Sequence, residues 1–126
     1  MSKILVTGSM GNIGRELYLE LEKRGHEVFG CDIVHSHDSR YRRCDIGQYR
    51  QLVELFNEFG VFEFVFNTAA EFGRHNGTDF FEQLWTSNVI GMRNILTLQK
   101  DSGFKLIHFS SSEAYGEVST SLGLGG

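Results

Sequence analysis

Two periodicities alternate along this chain. Short apolar runs bounded by glycine or polar clusters are separated by longer stretches whose apolar residues recur every three or four positions. Lys3 to Thr7 carries Ile4-Leu5-Val6 and predicts a first strand. From Asn12 to Arg24, Ile13, Leu17 and Leu21 fall at i, i+4 and i+8, which predicts a helix that Gly25 ends. Glu27 to Cys31 predicts a second strand and Tyr41 to Cys44 a short third. Gln48 to Phe59 predicts a helix with Leu52, Leu55, Phe56 and Phe59 on its apolar face, stopped by Gly60. Val61 to Phe66 predicts a fourth strand and Phe104 to Phe109 a fifth. Between them a long helix is predicted over Asp79 to Lys100, with Thr78 as its N-cap and Gly103 as its stop.

Strands alternating with helices imply right-handed βαβ units and a parallel sheet. The expected architecture is α/β, a Rossmann-type doubly wound sheet in the order 3-2-1-4-5 over residues 1–118, ending after strand 5. In such a sheet, ligands bind beyond the carboxyl ends of the strands, at the switch point between strands 1 and 4. The unusual segments of this chain all fall at strand ends: 7–14, 32, 45, 67–74 and 110–116. The most informative is T-G-S-M-G-N-I-G at 7–14, where Gly8, Gly11 and Gly14 recur every third residue between a strand and a helix. Glycines there permit a tight turn, close approach of backbone to phosphate, and close packing of helix on strand. With Met10, Asn12 and Ile13 they make a pyrophosphate site at a helix N-terminus. Asp32, followed by Ile33, lies 18 residues beyond Gly14 at the end of strand 2. A carboxylate so placed accepts hydrogen bonds from adenosine ribose hydroxyls and repels a 2′-phosphate, which favours NAD over NADP.

Composition narrows the field further. At 126 residues the chain is long enough for one domain with a core. A net charge of −4 leaves no basic footprint for nucleic acid. No apolar run approaches the ~20 residues of a membrane span. The start M-S-K-I-L-V-T-G enters strand 1 at once, without a signal-peptide pattern, so a cytoplasmic location is expected. Cys31 and Cys44 fit reduced thiols, and no metal site is expected from two cysteines and scattered histidines. The tail S-T-S-L-G-L-G-G at 119–126 reads as low-complexity and disordered.

With these motifs in place, residues 3 to about 118 resemble the extended short-chain dehydrogenase/reductase family, the NAD-dependent nucleotide-sugar epimerases, dehydratases and decarboxylases. The resemblance rests on 7–14, Asp32, Asp45-Ile46, N-T-A-A at 67–70, Asn88-Val89-Ile90-Gly91 and F-S-S-S-E-A-Y-G at 109–116. It implies that Asp45 and Ile46 hold the adenine. The backbone of Thr68, Ala69 and Ala70 would pass close to ribose and phosphates, and Asn88 would bond neighbouring strands and shape the site. Ser111 would match the catalytic Ser/Thr at the sugar C4 oxygen, whose carbon is transiently oxidised. Glu113 would match a glutamate of the dehydratase and decarboxylase branches. Ser112 stands where one dehydratase branch has an aspartate, and it and Arg74 would border a nucleotide-sugar substrate. In this family the long helix packs in a two-fold dimer; the excess apolar residues Phe80, Trp85, Met92 and Ile95 fit either that interface or the core.

The family's Tyr-x-x-x-Lys pair is not found here. Tyr115 is followed by Gly116, Glu117, Val118 and Ser119, and no lysine follows Lys105. The chain therefore reads as the N-terminal, cofactor-binding portion of a longer enzyme. The competing readings are a non-catalytic NAD-binding module or inactive fragment, and a reductase of a smaller carbonyl.

Overall fold

A computed structural model gives the fold; it describes residues 1–68 and 77–109, with the side chains of 77–88 excepted. Among the described residues, five strands and three helices follow in the order β1 (Lys3–Thr7), α1 (Asn12–Lys23), β2 (Glu27–Asp32), β3 (Tyr41–Arg43), α2 (Tyr49–Phe59), β4 (Phe64–Asn67), α3 (Gly77–Ser102) and β5 (Lys105–His108). The strands form one parallel sheet in the order β3-β2-β1-β4-β5. The expected order and the doubly wound architecture hold. The chain runs from β1 outward to β3, then returns to build β4 and β5 on the other side. The switch point thus falls between β1 and β4.

The pleat of β1 divides the core in two. Ile4 and Val6 are buried with Val28 against Leu17, Tyr18 and Leu21 of α1. Leu5 points the other way and is buried with Leu52, Leu55, Ile95 and Leu98 of α2 and α3. Successive side chains of a strand face opposite sides, so a buried apolar run covers both layers. Phe62 anchors the second layer at 1% exposure. Its ring lies 5.7 Å from that of Phe29 and 5.3 Å from that of Phe56. The Lys3 ammonium sits 5.2 Å from the Phe29 ring and also donates to the last carbonyl of α2, that of Phe59.

Three expectations need correction. The apolar face of α1 is Leu17, Tyr18 and Leu21, with Gly14 buried one turn earlier; Ile13 is 38% exposed. The helix turns its glycine, not its isoleucine, toward the sheet, because only a residue without a side chain fits there. Thr78 lies inside the first turn of α3 rather than at its cap. β4 starts at Phe64, not Val61. Gly60, at φ +89°, turns the chain out of α2, and sheet pairing begins only at Glu63, whose N–H meets the Lys3 carbonyl at 2.8 Å. The disordered tail expected at 119–126 lies outside the described residues.

The aromatic layer makes a direct prediction. Phe62→Ala is expected to lower the unfolding free energy by about 3–5 kcal/mol. Val61→Ala, at a position 69% exposed, should change it by less than about 0.5 kcal/mol. Urea denaturation of both variants checks the contrast; equal losses would contradict it.

Candidate functional site

The carboxyl ends of β1, β2 and β4 meet at the Gly-rich turn. The turn is tied down by backbone: the N–H groups of Gly8 and Ser9 both donate to the Cys31 carbonyl, at 2.8 and 3.2 Å, and Gly11 donates to Gly8 at 3.0 Å. α1 then begins at Asn12 with Gly11 at its N-cap, a residue with no side chain to satisfy the first helical N–H groups. At Gly14 the helix presses onto the strand ends. A Cβ there would lie 2.0 Å from the Gly8 carbonyl oxygen and 2.6 Å from the Thr68 hydroxyl. That hydroxyl is itself committed, donating to the Thr7 carbonyl at 2.6 Å across the β1–β4 seam. Thr68 therefore seals the switch point with its side chain, a contribution beyond the backbone approach expected of it.

Asp32 ends β2 beside this turn. Both of its carboxylate oxygens are held by backbone: Met10 N–H donates to Oδ2 at 2.9 Å and Ile33 N–H to Oδ1 at 2.7 Å. Carboxylate oxygens have lone pairs left after one such bond, so the group is aimed and still able to accept. Its charge is felt nearby. Burial first, then Asp32, pushes the Tyr41 phenol up to about 12. Met10, Ile13, Ile33 and Val34 expose apolar side chains at these strand ends, 39, 38, 63 and 48% respectively.

Asp45 and Ile46 follow β3. The Asp45 carboxylate accepts the Gly47 N–H at 2.9 Å, and the side-chain oxygen of Gln51 accepts the Asp45 N–H at 2.8 Å. Ile46 is held from below by a residue that sequence reasoning passed over. Asn94 of α3, 6% exposed, donates its amide to the Ile46 carbonyl at 2.8 Å. One turn earlier, a Cβ on Gly91 would fall 2.5 Å from the Ile46 side chain. The signal was a glycine and an asparagine three residues apart in an apolar helix, G-M-R-N. The side chain of Asn88, the residue expected to do this work, lies outside the described residues.

On the far side of the switch point the strands are joined by side chains. The Thr7 hydroxyl donates to the Asn67 side-chain oxygen, and the Asn67 amide lies 3.1 Å from His108 Nδ1. Burial holds the His108 pKa below the ordinary histidine value. Phe109 N–H meets the Asn67 carbonyl at 3.0 Å, so the chain leaves β5 directly beside the end of β4. Ala69, Ala70, Arg74, Ser111, Ser112 and Glu113 lie outside the described residues. A separate pocket of about 210 Å³ opens on the α1 side, lined by Ser9, Met10, Arg15, Tyr18, Leu19, Asp38 and Tyr41. It borders Met10 but is lined by neither Asp32, Asp45 nor Thr68, so it adjoins the switch point without being it. Among the described residues no cluster of metal-ligating side chains occurs, and no helix is long and apolar enough to cross a membrane.

A parallel sheet with a glycine-lined helix start at its switch point, and a braced carboxylate on the next strand, defines a dinucleotide-binding α/β protein. Comparison with known proteins makes the class specific. The chain belongs to the NAD dependent epimerase/dehydratase family, whose model matches residues 4–123. It is similar to the UDP-N-acetyl-alpha-D-glucosaminuronate decarboxylase of Bacillus cytotoxicus, 33% identical over 91% of this chain and 38% of that protein. It is also similar to Protein CapI of Staphylococcus aureus, 30% identical over 90% of this chain and 39% of that one. Among solved structures, a UDP-glucose-4-epimerase from Stenotrophomonas maltophila with bound NAD and formylated UDP-arabinopyranose superposes with a TM-score of 0.75. It is 25% identical, over 91% of this chain and 38% of that one. The chain thus spans about two fifths of the length of these relatives.

The brace under Ile46 is testable without ligand. Asn94→Leu buries the Ile46 carbonyl without its donor and should cost about 1–3 kcal/mol of stability. Thermal unfolding, with Thr97→Ala on the exposed face as control, measures it. A loss no larger than the control's would contradict the assigned role.

Proposed function

We propose that this chain is the NAD-binding portion of an enzyme that acts on a nucleotide sugar by transient oxidation at sugar C4. The observation that carries the reading is the contact at Gly14. It brings the N–H groups of Asn12, Ile13 and Gly14 to the ends of β1 and β4, where a pyrophosphate would lie. Asp32 would accept from the adenosine ribose hydroxyls with its two backbone-braced oxygens. Asp45 would take the adenine amino group, and Ile33 and Ile46 would offer the ring an apolar surface. When bound, NAD would supply the hydride acceptor. Ser111 would hydrogen bond the C4 oxygen, Glu113 would act near C5 and C6, and Ser112 and Arg74 would contact the substrate. The similarity to a UDP-sugar decarboxylase and a UDP-sugar epimerase supports a nucleotide sugar over a smaller carbonyl.

The same reading includes a homodimer through α3. Val89 and Leu96, seven residues apart on one helix face, are 52 and 44% exposed, whereas Ile95 is buried in the core. An apolar stripe of this kind supports a partner helix.

Calorimetric titration of the purified chain with NAD and with NADP tests the cofactor assignment. NAD should bind at micromolar to submillimolar levels and NADP more weakly. Asp32→Ala should weaken NAD by roughly tenfold, the scale of losing charge-assisted hydrogen bonds, and narrow the gap between the two. A folded chain that binds neither would overturn the reading.

A further inference from the structure

The edge strand β3 and the residue before it carry three arginines, Arg40, Arg42 and Arg43. The fold engages the charges of two of them. The Arg40 guanidinium lies 5.7 Å from the centre of the Phe29 ring. Arg42 is in register with Cys31 and faces α2, where Glu58 accepts from it and the Glu54 carboxylate lies 3.8 Å away. Arg43 is different. Its Nε–H donates to the Ile33 carbonyl at 3.0 Å, and its terminal amino groups meet no acceptor among the described residues.

Arg43 is in register with Asp32, and each is the last residue of its strand. The two side chains therefore leave the same face of the sheet at its carboxyl end. Opposite charges on neighbouring strands usually attract each other into a pair. Among the described residues these two form none. Backbone groups hold them apart. Asp32 is turned toward the Gly-rich turn, with Oδ2 on the Met10 N–H and Oδ1 on the Ile33 N–H, whereas Arg43 is turned onto the Ile33 carbonyl. Both charges are felt at one phenol: after burial, the largest cause, Asp32 raises the Tyr41 pKa and Arg43 lowers it.

The ends of β2 and β3 thus present a carboxylate with open lone pairs and a guanidinium with open N–H donors. A hydroxyl satisfies both, because it donates one hydrogen bond and accepts others. A phosphate only accepts, so it gains Arg43 and is repelled by Asp32. We propose that Arg43 is a second ligand of the adenosine ribose, donating to the 2′-hydroxyl that itself donates to Asp32. This role rests on the function proposed above. It divides cofactor choice between two charges. Arg43 favours the 2′-hydroxyl of NAD and the 2′-phosphate of NADP alike, the latter because a guanidinium fork suits phosphate. Asp32 favours only the first. The specificity is the difference between the two cofactors, and it lies with Asp32, while Arg43 holds a phosphate-binding donor in reserve.

Titrations followed by backbone amide signals, which also read weak binding, test this with NAD, NADP and 2′-deoxy-NAD (lacking the adenosine 2′-hydroxyl). Thermal unfolding first checks that each variant folds. Arg43→Leu should weaken NAD by roughly tenfold, the scale of one charge-assisted hydrogen bond, and leave 2′-deoxy-NAD unchanged. Arg43→Lys, which keeps the charge, should lose less. Asp32→Ala should raise the affinity for NADP, and adding Arg43→Leu should abolish that gain. Arg42→Leu, whose charge is engaged by α2, should leave NAD affinity unchanged. An NAD affinity unmoved by Arg43→Leu, or a loss of the same size for 2′-deoxy-NAD or for Arg42→Leu, overturns the assignment. A gain in NADP affinity that survives the double substitution overturns it as well. A folded wild-type chain that binds neither cofactor overturns the underlying function, and the role of Arg43 with it.

Discussion

The rest of the site depends on one close approach, that of α1 to the ends of β1 and β4 at Gly14. A Cβ at this position would lie 2.0 Å from a backbone oxygen, well inside any tolerable contact. The helix reaches the sheet only because no side chain stands there. That single allowance sets the start of α1 against the switch point, where the Thr68 hydroxyl closes the β1–β4 seam. It also rotates α1 so that Leu17, Tyr18 and Leu21 cover Ile4, Val6 and Val28. The packing of one core layer and the mouth of the site are thus two consequences of one glycine.

The second core layer has a matching role. α3 comes down on Ile46 at Gly91 and holds its carbonyl with Asn94. The segment that carries Asp45 is therefore fixed from beneath, by a helix with no other part in the described site. Asp32 is fixed by Met10 and Ile33. Each carboxylate accepts backbone N–H groups, a bond type that orients a charged group without neutralising it. A ligand meeting them encounters charges already aimed, and pre-aimed groups lose less conformational freedom on binding.

Much of this was legible in the sequence because local chemistry and global fold agree. The glycine spacing, the apolar runs and Asp32 each mark a strand end, and the strand order follows from alternation with helices. What escaped was set by partners distant in sequence. The exposure of Ile13 follows from Gly8 and Thr68, which make Gly14 the buried face of its helix. The role of Asn94 depends on a loop 48 residues away, and an asparagine in a helix carries no mark of the carbonyl it will meet. The late start of β4 depends on the Lys3 carbonyl, which receives Glu63. Helical and strand periodicity report which face is apolar, not which backbone group lies opposite.

The most direct test of the account is a residue-resolved one. Backbone amide spectra of the isotope-labelled chain would be followed through a titration with NAD. The account predicts that the N–H signals of Met10 to Gly14, Ile33, Ile46 and Gly47 move together and saturate at one concentration. It predicts that those of Glu22, Lys23 and Glu63, far from the carboxyl ends of the strands, stay in place. Signals that move only around the pocket of Arg15, Tyr18 and Asp38, leaving Gly11 to Gly14 unmoved, would show that the glycine-lined switch point is not where this chain holds its ligand.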